Sequence, residues 1–325
     1  PDAEWNSTTG VYIAKPRTST NGTASYTSAP KNGAINYLNG FGTLDPNNIG
    51  YYKQYDSFGG MYLESLRYFA GNTTPDSGAI SGADSYADNF PYYTTWKDPI
   101  DNACQRSNYI LAIGDVNTWD QSSIKDKTIA GATLETWLTR VKNFESGSSS
   151  TFTGASPDSI PVNTAGNPNP RTIGGSGQTV TRQMMGGAAY AAHTQPIRTD
   201  SKNGQTLSGL RINTFAIDVD EGGNGTLDSS SRGIQPRDSS LYLMGKYGWF
   251  SNTTEYQSGT YNGKADNHPF TTTNANASPY DNAKWEDASA LNTPDGYVIA
   301  SQADRTVAGI KKFFNAINPQ RSTIY

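Results

Sequence analysis

Cysteine is nearly absent from this 325-residue chain: Cys104 stands alone. That excludes an internal disulfide framework and any cysteine-based zinc site. It leaves Cys104 either a small buried residue or half of a bridge to a cysteine elsewhere in a longer parent chain. Histidine is almost as scarce, with only His193 and His268. Neither lies near a Gly-x-Ser-x-Gly turn, so a Ser-His-Asp or Cys-His proton shuttle has little to be built from. Charged residues make up 17% and the net charge is −4, with a pI near 5.2. The chain therefore lacks the basic surface that nucleic acid or an anionic membrane would require. No apolar run approaches the ~20 residues of a membrane-spanning helix. The first residue is Pro1 rather than Met, which reads as a processed or trimmed start.

What is abundant points outward. Twenty Tyr and 33 Gly, among many Asn, Thr and Ser, give the composition of an extracytoplasmic protein. Asn-x-Ser/Thr triplets fall at Asn6, Asn21, Asn72, Asn224, Asn252 and Asn276. In so Asn- and Thr-rich a chain they arise by chance and decide nothing.

Three short apolar runs read as buried strands: Tyr109–Ile113, Ile212–Val219 and Tyr297–Ala300. Helical patterns lie before, between and after them. In "DSFGGMYLESLRYFAG", Phe58, Tyr62, Leu66 and Phe69 share a face, with Gly71 where a C-terminal cap belongs. "TLETWLTRV" groups Leu134, Trp137, Leu138 and Val141. In "SQADRTVAGIKKFFNAI", Ser301 and Asp304 have capping-box spacing, and Ala303, Val307, Ile310, Phe314 and Ile317 form one stripe. Continuous rather than alternating apolar strands, interleaved with helices, predict a doubly wound α/β fold. Its sheet is mainly parallel, with helices on both faces. Residues 10–50, about 145–180 and 251–290 are rich in Gly, Ser, Thr, Asn and Pro and read as long irregular insertions. With no internal repeat and no sharp linker, a single domain over 1–325 is expected.

Two acidic stretches are the candidate sites. Asp115 ends the first apolar run, at the carboxyl end of a strand, where α/β sheets bind ligands. A hard cation such as Ca2+ or Mg2+ would need further oxygens from neighbouring loops. The competing reading is an Asx-turn, in which Asp115 bonds its own backbone. The second stretch, "DVDEGGNGTLD", offers Asp218, Asp220, Asn224 and Asp228 as calcium ligands. Its spacing is not that of an EF-hand, so a plain strand-end loop competes there too. "GGSGQT" at 174–179 lacks a preceding strand and a P-loop pattern, which argues against a phosphate cradle.

With strands and acidic loops placed, the chain resembles the N-terminal von Willebrand factor A-like region of the PilC/PilY family, the tip adhesins and assembly factors of type IV pili. The matching segments are "GGMYLESLRYFAG" (59–71), "WKDPIDNACQRSNYILAIGDVN" (96–117), "INTFAIDV" (212–219), "LYLMGKYGWF" (241–250) and "DGYVIASQADRTVAGIKKFF" (295–314), in the family's order. The resemblance implies a von Willebrand A-like fold in which Asp115 matches the metal-site aspartate that follows the fourth strand. The chain departs from that pattern in having no Asp-x-Ser-x-Ser; Asp120-Gln121-Ser122 and Asp228-Ser229-Ser230 are incomplete and out of place. Either the first strand lies upstream or the metal site is degenerate, and the family's C-terminal propeller is missing.

What the resemblance implies for function is a non-enzymatic pilus-tip adhesin and biogenesis factor. It would pass through the periplasm to the cell surface, meet minor pilins, attach to host-cell or abiotic surfaces, and support twitching motility. No nucleic-acid partner and no membrane span are expected. A secreted carbohydrate-active enzyme or polysaccharide-binding module is the alternative. Tyr and Trp can stack on sugars, and any two of the 29 acids could form a glycosidase pair.

Overall fold

The computed structural model describes residues 58–77, 95–100, 108–115, 124–146, 184–202, 204–207, 210–220, 224–227, 236, 239–250, 286–287 and 290–317. It also describes five short pieces between residues 5 and 25. The chain divides into two compact units, Pro1–Gln54 with Arg67–Asp101, and Tyr55–Leu66 with Asn102–Tyr325.

The smaller unit holds two minimal hairpins, Trp5–Asn6 with Val11–Tyr12 and Thr20–Asn21 with Ala24–Ser25. It also holds the end of helix α1 (Phe58–Phe69). That end closes as the sequence predicts. Gly71, at φ +82°, donates its N–H to the Tyr68 carbonyl, and Asn72 donates to the Arg67 carbonyl. Those two bonds are the Schellman pair, and only a residue free of a Cβ adopts that φ without cost. Tyr68 meets Trp96 edge-on at 5.6 Å. Nearby, Asp98 accepts the Ile100 N–H across Pro99, an Asx-turn.

The larger unit is a mixed α/β body built on three parallel strands, β1 (Asn108–Asp115), β2 (Ile212–Val219) and β3 (Tyr297–Ile299). The order is β3-β2-β1, with Ile212 opposite Asn108 and Ala216 opposite Tyr297. Strand β1 runs two residues beyond the predicted apolar run, so Asp115 closes the strand instead of following it. Side chains alternate across β2, and both faces are covered. Thr214, on one face, shares a hydrogen bond with Tyr62 of α1 at 2.7 Å. Phe215, on the other, stacks on Phe313 at 4.5 Å. Coverage on both sides explains why β2 carries apolar residues on both faces, Ile212 and Ala216 on one and Phe215 and Ile217 on the other.

Helix α2 (Leu134–Ser146) buries Leu134, Trp137, Leu138 and Val141, the predicted stripe, and Thr133 caps it by accepting from the Thr136 N–H. Two helices went unread in the sequence: α3 (Met184–Thr194) and α4 (Ser240–Gly248). Every residue of α4 is buried, and so are residues 185–194 of α3. Glycines set the packing distance. A Cβ on Gly186 would meet Leu243 at 2.8 Å, and one on Gly187 would overlap the α2 backbone at Leu138. Gly248 lies equally close to Thr214 of β2.

Helix α5 (Ala303–Ile317) covers the Phe215 face. Here the structure corrects the predicted stripe. Gly309 and Phe313 are the buried residues, whereas Val307 and Phe314 are 50% and 60% exposed. The cause is Gly309, whose missing side chain lets the helix lie against Val298 and Ile217. The start is shifted as well. The N–H groups of Arg305 and Thr306 turn back to the Gln302 carbonyl, one residue later than a Ser301 cap would place them. Lys312 ties the far flank of α5 to the Glu286–Asp287/Ala290–Pro294 hairpin through Asp287 at 2.6 Å.

Candidate functional site

The carboxyl ends of β1 and β2 bring predicted acidic residues into one region. Asp115 is the last residue of β1 and pairs in register with Val219, while Asp218 lies opposite Gly114. Asp115 is half-buried; Asp218 and Asp220 are buried. Asn224 is exposed on the loop that follows. Asp228, His268, Cys104, residues 174–179, Asp120 and Ser122 lie outside the described residues.

Asp218 is the centre of a clasp. Its Oδ2 accepts from the Tyr297 hydroxyl of β3 at 2.6 Å and from the Ser239 hydroxyl at 2.9 Å. Ser239 is also the N-cap of α4, its Oγ accepting from the Tyr242 N–H at 3.1 Å. One carboxyl thus joins β2, β3 and the first turn of α4. Its other oxygen, Oδ1, is buried without a hydrogen-bond partner. Burial pushes the Asp218 carboxyl up to about 7; the Tyr297 and Ser239 hydroxyls oppose this, and the Asp220 and Asp115 charges add to it. Burial, together with the adjacent Asp218, holds the Tyr297 phenol well above its usual value.

The acidic loop closes on itself. Asp220 Oδ2 accepts from the Gly225 N–H at 2.8 Å. Asn224 Oδ1 accepts from both the N–H and the hydroxyl of Thr226, at 3.1 and 2.6 Å. These bonds are those of a strand-end turn. Among the described residues, no group of three or more His, Cys, Asp and Glu is placed to hold a metal ion.

Sequence reasoning missed Ser239 and Tyr297, the partners that define the Asp218 environment. A signal existed for Ser239: a Ser-Ser pair directly before "LYLMGKYG" is an N-cap pattern. None existed for Tyr297, one tyrosine among twenty.

His193 is set in the core. Its Nδ1 pairs with the Asn213 side chain at 2.8 Å, and its ring meets Phe250 edge-on at 4.3 Å. Burial pulls its pKa down to about 4, with Arg211 adding to the effect, against the bonds from Asn213 and the Phe250 backbone.

No family model matches the chain, and no solved structure matches it. In sequence it is similar to a protein of Xylella fastidiosa named a Type IV pilus biogenesis factor PilY1 homolog. The two are 26% identical over 345 aligned residues, covering 98% of this chain and 25% of the relative. The chain thus spans about a quarter of the length of that relative. The likeness spans nearly the whole chain and not only the segments quoted above.

Proposed function

We propose that these residues form an extracytoplasmic, non-enzymatic module of a type IV pilus biogenesis factor. The reading rests on one observation, the similarity to a PilY1 homolog across 98% of the chain. In this reading the module works at the pilus tip, meets minor pilins, contacts host-cell or abiotic surfaces, and supports pilus assembly and twitching motility. Among the described residues no helix is long and apolar enough to cross a membrane, which agrees with a module held outside the bilayer by its pilus partners.

The fold is read as von Willebrand A-like, with β1, β2 and β3 forming the second half of a doubly wound sheet. Two features support this. Strands of increasing chain order lie side by side in β1, β2, β3, and helices cover both faces of β2. Asp115 would then supply one arm of a Ca2+ or Mg2+ site whose Asp-x-Ser-x-Ser arm this sequence does not carry. Asp218, Asp220, Asn224 and Asp228 are the other calcium candidates; the first three accept hydrogen bonds from within the protein.

The decisive experiment is genetic. Deleting the parent gene in its source bacterium is expected to abolish surface pili and twitching together, with both restored by complementation. Normal pili and normal motility in the deletion strain would overturn the proposal.

A further inference from the structure

We propose that Asn224–Gly225 is a self-modifying site, at which the Asn224 side-chain amide is lost by attack of the Gly225 backbone nitrogen. Asp220, Asn224, Gly225 and Thr226 bring together an electrophile, donors on its oxygen and an acceptor for the nucleophile's proton. The electrophile is the Asn224 amide carbon, and its oxygen already accepts two hydrogen bonds, from the Thr226 N–H at 3.1 Å and the Thr226 hydroxyl at 2.6 Å. Two donors on one carbonyl oxygen stabilise the negative charge that develops there when the carbon is attacked. The nucleophile is the next nitrogen in the chain, and its N–H points at the Asp220 carboxylate, 2.8 Å away. A carboxylate within hydrogen-bond reach of the departing proton is the geometry of proton transfer in the transition state. Gly225 has no side chain to crowd the attack and sits at φ +78°. Asn224 itself is exposed, so water reaches the product.

The step balances without an oxidant or co-reactant other than water. The Gly225 nitrogen bonds to Asn224 Cγ, the Cγ–Nδ2 bond breaks, and the Gly225 proton passes by way of Asp220 to the leaving ammonia. Water then opens the succinimide ring at either carbonyl, giving aspartate or isoaspartate. The change is felt beyond the loop, because Gly225 lies against the start of α5. A Cβ there would stand 2.8 Å from Ser301 Oγ and 3.8 Å from Arg305 Nη1. Modification places a new negative charge on the residue before Gly225, and the isoaspartyl form adds a methylene to the backbone there. It ages the loop at the carboxyl end of β2, beside the Asp218 clasp.

The chain carries its own controls, because Asn–Gly also occurs at 21–22, 32–33, 39–40, 203–204 and 262–263. The experiment incubates the 325-residue chain at neutral pH, folded and in urea, and quantifies aspartate and isoaspartate at each pair by peptide mapping. Asn224 is expected to convert roughly tenfold faster in the folded chain than in urea, the rate equivalent of 1.36 kcal/mol. Asp220→Asn and Thr226→Ala should each return it to the urea rate, while Thr226→Ser, which keeps the hydroxyl, retains the fast rate. Circular dichroism checks that each variant folds; Thr226 is exposed, so its variants carry the test even if Asp220→Asn does not fold. A folded-state rate at Asn224 equal to or below the urea rate would overturn the proposal, as would a fast rate that survives Thr226→Ala.

Discussion

Replacing Asp218 with asparagine keeps the shape of the clasp and removes its charge. Burial raises the Asp218 carboxyl from 3.8 to about 7, so the folded chain holds this proton more tightly than the unfolded chain does. The sign follows from linkage. The stabilising contribution is complete below about pH 4, where both states are protonated, and it is lost as the pH rises to about 7. At 1.36 kcal/mol for each tenfold change in proton affinity, the interval from 3.8 to about 7 corresponds to about 4 kcal/mol. Asparagine imitates the protonated acid. It also sets an NH2 where Oδ1 has no partner, at a cost of about 1–3 kcal/mol. The two effects cross. D218N should be more stable than the parent by about 2 kcal/mol near pH 8 and less stable by about the same amount near pH 4. Urea unfolding followed by far-UV circular dichroism at the two pH values measures both. If D218N loses stability near pH 8 as well, the clasp is held by an ionised carboxylate and the reasoning is refuted.

Two further predictions test the core. His193 has the opposite linkage: its pKa falls from 6.5 to about 4, so stability is lost as the pH drops between those values, by about 3 kcal/mol in all. H193N should abolish that acid-side loss, and parallel acid curves for variant and parent would show that the imidazole is not kept neutral in the folded chain. Phe313→Ala removes a buried ring stacked on Phe215 and should cost about 3–5 kcal/mol, whereas Val307→Ala, on the exposed flank of the same helix, should change stability by less than about 0.5 kcal/mol. Comparable losses for the two in urea unfolding would contradict the observed placement of α5.

The elements legible in the sequence were those with a polar side. Helices α1 and α2 each set an apolar stripe against charged or polar residues, so period and caps agreed. Strand β2 was legible for the opposite reason, as an apolar run too short for a helix. Helices α3 and α4 failed both tests. They are buried on every side, so no stripe exists to find, and "MMGGAAYAAHT" carries a Gly-Gly pair that lowers helix propensity. Those glycines are there for packing, since they let α3 approach α2 and α4 more closely than a side chain would allow. The site was legible only at its acids. Asp115 and Asp218 could be placed at strand ends from the apolar runs before them. What surrounds Asp218 arrives from 21 and 79 residues away, and spacing carries no trace of it.

Helix α5 shows that an apolar stripe reports the surface a helix owns, not the part that its own chain covers. Its apolar positions extend from Ala316, Gly309 and Phe313 round to Ile310, Phe314 and Val307, about half the circumference at 100° per residue. The sheet takes the first group, and Ile310 and Ile317 pack partly buried beside it. Gly309 sets that rotation by its approach to Val298 and Ile217, Lys312 braces it through Asp287, and Phe314 and Val307 face outward. On the same face of the sheet, by its register with Ile217, Ile113 of β1 is 46% exposed. In parallel α/β sheets both faces are normally covered. Tyr109 and Leu111, on that face of β1, pack against the cluster of Phe215, Ile217, Ala300 and Phe313, so among the described residues the start of β1 is covered and its end at Ile113 is left open.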